Sequence, residues 1–110
     1  MTTALAIYAA KEGTKLIDYI TEFIGDDVYS PLIIINVDKP TSRIVSHIRD
    51  SYYVKKAQAK KWKGIGEMCR DGGWMLFREA EEARIWCEEH FPKYNITIAG
   101  AKKISMKISK

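Results

Sequence analysis

The sequence predicts an α/β fold, a single-domain layered sandwich of about four to six strands with helices, because strand-like and helix-like apolar spacings alternate along it. Three stretches carry that expectation. In Trp74 to Trp86, WMLFREAEEARIW, the spacing passes from a strand to a helix within a few residues. Leu32 to Val37, LIIINV, is short, β-branched and apolar on both faces, the pattern of a strand at the centre of a sheet. Leu16, Ile17, Ile20, Phe23 and Ile24 form one apolar stripe opposite Lys15, Asp18 and Glu22, the pattern of an amphipathic helix. A chain of 110 residues is near the commonest domain size and can bury one hydrophobic core, so one domain over 1–110 is expected.

Taken in order, residues 4–10 (ALAIYAA) suit a short buried strand, and Gly13-Thr14 offers a break and a helix cap. The helix from Leu16 ends at Gly25 and the aspartates after it, LIIINV follows Pro31, and Asp38-Lys39-Pro40 closes that strand because proline cannot continue a central ladder. Arg43 to Ile48, RIVSHI, fits a strand returning from a turn at Lys39 to Ser42, or a helix capped by Thr41 or Ser42; the strand is favoured. Asp50 or Ser51 then caps a helix through about Lys63, after which Gly64 and Gly66 loosen the chain. Asp71-Gly72-Gly73 is a turn, WMLF a strand, and Glu79 to His90 a helix with Ala80, Ala83, Trp86 and Cys87 inward, stopped by Pro92. Tyr94 to Ala99 is a further strand. Ile104, Met106 and Ile108 alternate with Ser105, Lys107 and Ser109, as in a half-exposed edge strand whose lysines discourage edge pairing. The sheet is expected to be mostly parallel or mixed, with a ferredoxin-like split βαβ arrangement as the competing topology.

Apolar residues at 46% and charged residues at 29% argue against disorder, and no apolar run approaches the roughly 20 residues that a spanning helix needs. No membrane partner is expected. The N-terminal MTTALAIYAAKEG has no basic residue ahead of an apolar core too short for a secretory signal, so a cytoplasmic location is expected. Cys69 and Cys87 are too few for a disulfide framework and are most simply small apolar side chains in a reducing compartment.

The candidate binding segment is SYYVKKAQAKKWKG, with Tyr52, Lys55, Lys56, Lys60, Trp62 and Lys63 as the residues for an anionic partner or nucleic acid. Rings beside lysines are the components of a surface that attracts phosphates and stacks on bases. On the expected helix Tyr52, Lys55, Ala59, Trp62 and Lys63 share a side. The sequence pI near 9.1 points the same way, although a net charge of +4 is modest, and lysine-rich helix faces are usually solvated while rings at helical spacing usually pack on a core.

Other motifs carry less. Lys63-Gly64-Ile65-Gly66 begins like a phosphate loop, but the third glycine of a dinucleotide fingerprint is Cys69, and the closing Gly-Lys-Ser/Thr of a P-loop is missing. His47, His90, Cys69 and Cys87 show no paired metal-ligand spacing, so no metal or other cofactor is expected. The pairs Asp26-Asp27, Glu81-Glu82 and Glu88-Glu89 sit where helix ends and solvated faces place carboxylates, and no spacing pairs Cys87 with a base.

From Arg43 onward the chain resembles the C-terminal half of SpoIIAA-like (STAS-related) domains. The resemblance is carried by RIVSHIRDS, YYVKKAQAKKW, WMLF and REAEEARIW, with Phe77, Ala83 and Trp86 at the family's phenylalanine, alanine and tryptophan positions. Two departures stand out. Only Lys39 to Ser42 separate LIIINV from RIVSHI, where the family inserts a helix, and no residue here takes the place of the phosphorylatable serine of the anti-sigma-factor antagonists. The resemblance implies a non-enzymatic protein-binding or regulatory module. The expectation is therefore a small α/β binding or regulatory module without catalytic residues, acting through contacts with a protein or anionic partner; the alternative is a nucleic-acid-binding protein using residues 52–63.

Overall fold

The β-branched run after Pro31 becomes the centre of the sheet. The computed structural model describes residues 8–24 and 32–99. Within them the elements follow in the order α1 (Leu16–Ile24), β1 (Ile33–Asp38), β2 (Arg43–His47), α2 (Tyr52–Lys56), β3 (Gly64–Ile65), β4 (Gly72–Phe77), α3 (Ala80–His90) and β5 (Asn95–Thr97). They build a small layered α/β sandwich around a five-stranded mixed sheet of order β3-β4-β1-β2-β5. β1 runs antiparallel to β2 and to β4, whereas the outer strands β5 and β3 run parallel to β2 and β4. RIVSHI is thus the returning strand of a hairpin with β1.

Successive strand side chains point to opposite faces, so β1 sends Ile33, Ile35 and Val37 one way and Ile34, Asn36 and Asp38 the other. The first face is covered by α3, whose Ala83, Trp86 and Cys87 pack with Ile35, Val37, Ile44, Met75 and Phe77. Trp86 keeps only 8% of its surface exposed, and its ring lies 5.6 Å from that of Phe77. The second face receives Leu16, Tyr19 and Ile20 of α1, Val54 of α2, and Ala59, all packed around Ile34, Ile65, Trp74 and Leu76.

The main correction concerns the helix expected to reach Lys63. Ser51 does cap it, accepting a hydrogen bond from the Tyr53 backbone, but the helix stops at Lys56 because Ala57 turns extended (φ −69°, ψ 145°). From there the chain pairs with the segment ahead of α1. Leu16 N–H donates to the Ala57 carbonyl at 2.9 Å, Ala59 N–H to Thr14 at 2.8 Å, and Gly13 N–H to Ala59 at 2.7 Å. This pairing partners the backbone and buries Ala59, which a solvated lysine-rich helix would not do, and it outweighs helix propensity.

Two smaller differences follow from close backbone approach. Gly64 belongs to β3 instead of loosening the chain, and the Asp71 turn lies one step earlier, at Cys69 to Gly72, so that both glycines open β4. Gly72 has φ +115°, and a Cβ there would sit 1.9 Å from the Val37 carbonyl oxygen, so only glycine lets β4 begin beside β1. The strand expected over Tyr94 to Ala99 is shortened to β5. Of the strand expected over residues 4–10, only 8–10 are described; they are irregular, with Ala10 N–H bonded to the Ile65 carbonyl at 2.9 Å. The helix stop at Gly25 and the edge strand over 104–109 lie outside the described residues.

The burial of Trp86 yields a direct test. Trp86→Ala should lower unfolding free energy by about 3–5 kcal/mol, as removal of a large buried aromatic does. Urea unfolding measures it, and a loss below about 1 kcal/mol, the size of an ordinary surface effect, would show that α3 is not anchored by this ring.

Candidate functional site on the open half of the sheet

On the face carrying α1 and α2 the strand register sets side chains in rows: Leu76, Ile34 and His47; then Trp74, Asn36 and Val45; then Gly72, Asp38 and Arg43. Leu76, Ile34 and Trp74 are buried under the helical layer. Asn36, Asp38, Val45 and His47 are only half-buried, and Arg43 is exposed. The layer therefore covers β4 and the first half of β1 and leaves the rest of that face open.

Two adjoining hollows occupy the opening. One, of about 240 Å³, is lined by Asn36, Asp38, Thr41, Arg43, Val45, His47 and Tyr53. The other, of about 350 Å³, is lined by Asn36, Tyr52, Tyr53, Lys56, Ala57, Gln58, Lys60, Lys63 and Trp74. Asn36 and Tyr53 line both, so the hollows form one groove. Rings run along it: Trp74 and His47 have centroids 5.6 Å apart, His47 and Tyr53 5.6 Å, and Tyr53 and Tyr52 5.8 Å. Lys56 Nζ lies 4.9 Å above the Tyr52 ring and donates to its hydroxyl at 2.9 Å.

Arg43, Lys56, Lys60 and Lys63 line the groove against a single acidic residue, Asp38. Asp38 is not a bare negative charge, because Lys63 Nζ bridges its Oδ1 at 3.3 Å and the Thr41 hydroxyl donates to its Oδ2. Those partners, the Thr41 hydrogen bond first, hold its carboxyl below the usual carboxylate range. At His47 burial, with Lys63 nearby, pushes the pKa below the ordinary histidine value, and its Nδ1 lies 3.3 Å from Ser51 Oγ. At neutral pH it is an uncharged ring in a cationic groove.

Of the residues singled out in the sequence, the groove brings together Tyr52, Lys56, Lys60 and Lys63. Lys55 is exposed but lines neither hollow. Trp62 stands apart, its ring flanked by Lys61 Nζ at 4.9 Å and the Arg70 guanidinium at 4.4 Å. Sequence reasoning missed Asn36, Asp38, Arg43, His47 and Tyr53. The readable signals were an asparagine inside an otherwise apolar strand and the alternation of Arg43, Val45 and His47, which sets all three on one face of β2.

Among the described residues no group of three or more His, Cys, Asp or Glu is placed to hold a metal ion, and no helix is long and apolar enough to cross a membrane. Cys87 lies in the α3 core, where burial and then Glu88 push its thiol up to about 12, so it presents no thiolate at neutral pH. No protein-family model, curated protein or solved structure matches the chain.

The depressed His47 pKa sets a pH dependence. Below about 6.5, the ordinary histidine value, the unfolded chain binds a proton that folded His47 resists, so stability present above that pH falls as the solution is acidified. The urea midpoint should be lower at about pH 5.5 than at pH 7.5, and His47→Gln should reduce that difference. An unchanged difference in the variant would show that His47 is not the group responsible.

Proposed function

We propose that this domain is a non-catalytic binding module whose groove holds single-stranded nucleic acid. One observation carries the reading: Tyr52 and Tyr53, neighbours on the groove, are 66% and 65% exposed beside Lys56 and Lys60. The common fate of tyrosines at helical spacing is to pack on a core. Here Val54 is the α2 side chain that enters the core, and both rings are left in water. Exposed rings interleaved with lysines match a strand whose phosphates meet the cations while its unpaired bases stack.

The groove's form supports the same ligand. Its larger hollow, about 350 Å³, lies at the lower end of the range for small-molecule sites and has room for one nucleotide unit. A protein partner is the second reading, favoured by Ile48, which is 70% exposed close in sequence to Tyr52. It differs in being insensitive to competing oligonucleotides.

Fluorescence anisotropy with a labelled mixed-sequence strand of about 12 nucleotides tests the proposal. Affinity should fall steeply between about 50 and 200 mM salt as condensed counterions are released. Replacing Lys56 and Lys60 together by glutamate should remove binding, and Tyr53→Ala should weaken it by about 1–3 kcal/mol. Trp62→Ala should matter less, because cations already occupy the surroundings of that ring. Lys63 is a poor test residue, since its loss also unpairs Asp38. If the wild-type domain binds no strand at low salt, the nucleic-acid reading fails and the groove is a protein-docking surface.

A further inference from the structure

We propose that Arg43 is a phosphate contact across the groove from Lys56 and Lys60, so that the groove holds one internal nucleotide of a strand with a phosphate on either side of it. The inference rests on the nucleic-acid reading above and names the part of the strand that the groove takes. The two hollows open toward different strands of the sheet. Arg43 and Val45 of β2 line the smaller one and Trp74 of β4 lines the larger, with β1 between those strands. Tyr53 lines both, so its exposed ring stands where they meet.

The positive charge that remains after pairing lies at both ends of the groove. Lys63 is bridged to Asp38, which leaves the larger hollow with Lys56 and Lys60, both exposed. Lys56 donates to the Tyr52 hydroxyl, but that partner is neutral and leaves the ammonium charge uncompensated. Arg43 stands opposite Asp38 on the β1–β2 ladder, where an ion pair between the two would be the ordinary arrangement. The carboxylate is taken up instead by Lys63 and the Thr41 hydroxyl. Among the described residues, the exposed Arg43 guanidinium has no ion-pair partner.

A base stacked on Tyr53 has backbone leaving its sugar in two directions, and every internal nucleotide of a strand carries a phosphate each way. One phosphate then meets the ammonium groups of Lys56 and Lys60, and the other meets Arg43. The two sides differ in kind. The lysines come from α2 and the segment after it and follow a phosphate as point charges. Arg43 is anchored on a strand inside the sheet and presents a planar fork that matches two phosphate oxygens. A free nucleotide with phosphate at one end satisfies one side only, so the arrangement favours a strand.

The test measures binding of a labelled single strand of about 12 nucleotides, with thymidine bisphosphate (phosphate on both the 3′ and 5′ oxygens) and the two thymidine monophosphates as competitors. Arg43→Gln should weaken strand binding about tenfold and reduce the log–log salt slope by about 0.7, the share of one phosphate on a single strand. Lys55→Gln removes the same charge from an exposed residue that lines neither hollow, and should change affinity by less than about twofold. On the wild type the bisphosphate should compete about tenfold better than either monophosphate, and that advantage should vanish in Arg43→Gln. Arg43 is exposed, so the variant should melt like the wild type. Should it fail to fold, Arg43→Lys is expected to keep the salt slope and lose the part of the affinity that the fork supplies. Equal effects of Arg43→Gln and Lys55→Gln, a bisphosphate no better than the monophosphates, or an advantage that survives in Arg43→Gln overturns the inference and leaves the groove reading standing. Absence of strand binding by the wild type at low salt overturns the underlying reading instead.

Discussion

The pairing of residues 57–59 with Gly13 to Leu16 is the constraint on which the site depends. A five-residue helix has little stability of its own, and α2 is held by the Ser51 cap at one end and by this pairing at the other. Because Ala57 leaves the helix to meet Leu16, the helical layer is drawn toward α1, over Ile34, Trp74 and Leu76. Among the described residues, Tyr53 is the α2 side chain that lines the hollow beside Asn36, Asp38 and Val45. The opposite face, by contrast, is closed by α3, eleven residues long, over a core that includes Ile35, Val37, Ile44, Met75 and Phe77.

That asymmetry accounts for the polar residues in a strand that is otherwise apolar. On the α3 side, Ile33, Ile35 and Val37 meet a packed core, and a polar atom would lose its water without gaining a partner. On the other side only Ile34 is sealed, so Asn36 and Asp38 sit where solvent or a ligand can reach. Asp38 is stabilised there by Thr41 and Lys63, and the bridge to Lys63 ties the loop after α2 to the end of β1. The groove floor is consequently rigid sheet, while the residues for a charged ligand come from α2 and the segment after it. A fixed floor with flexible lysine rims suits a ligand with one flat end and one charged end.

Much of the fold was legible because its signals are local. The stripe from Leu16, the β-branched LIIINV, the switch after Phe77 and the inward Ala83, Trp86 and Cys87 each follow from spacing alone, and each element forms where that spacing puts it. The helix through Lys63 misled because alanines and lysines favour a helix locally, whereas its end is decided by partners some forty residues away in sequence. For the same reason the site was half legible. Tyr52, Lys56, Lys60 and Lys63 lie close together in the chain, while Asn36, Arg43 and His47 join them only through strand register. Trp62 and Lys55 belonged to the helical wheel and fall outside the groove once the helix ends early.

An amide chemical-shift titration with an unlabelled single-stranded oligonucleotide reads directly whether the open half of the α1/α2 face is the ligand surface we propose. Saturable shifts are expected at Asn36, Arg43, Val45, His47, Tyr53 and Lys56, with the amides of α3 unmoved. Shifts concentrated instead on Ala80–His90 or around Trp62 would contradict it, because they would place the ligand on a surface that the groove does not reach.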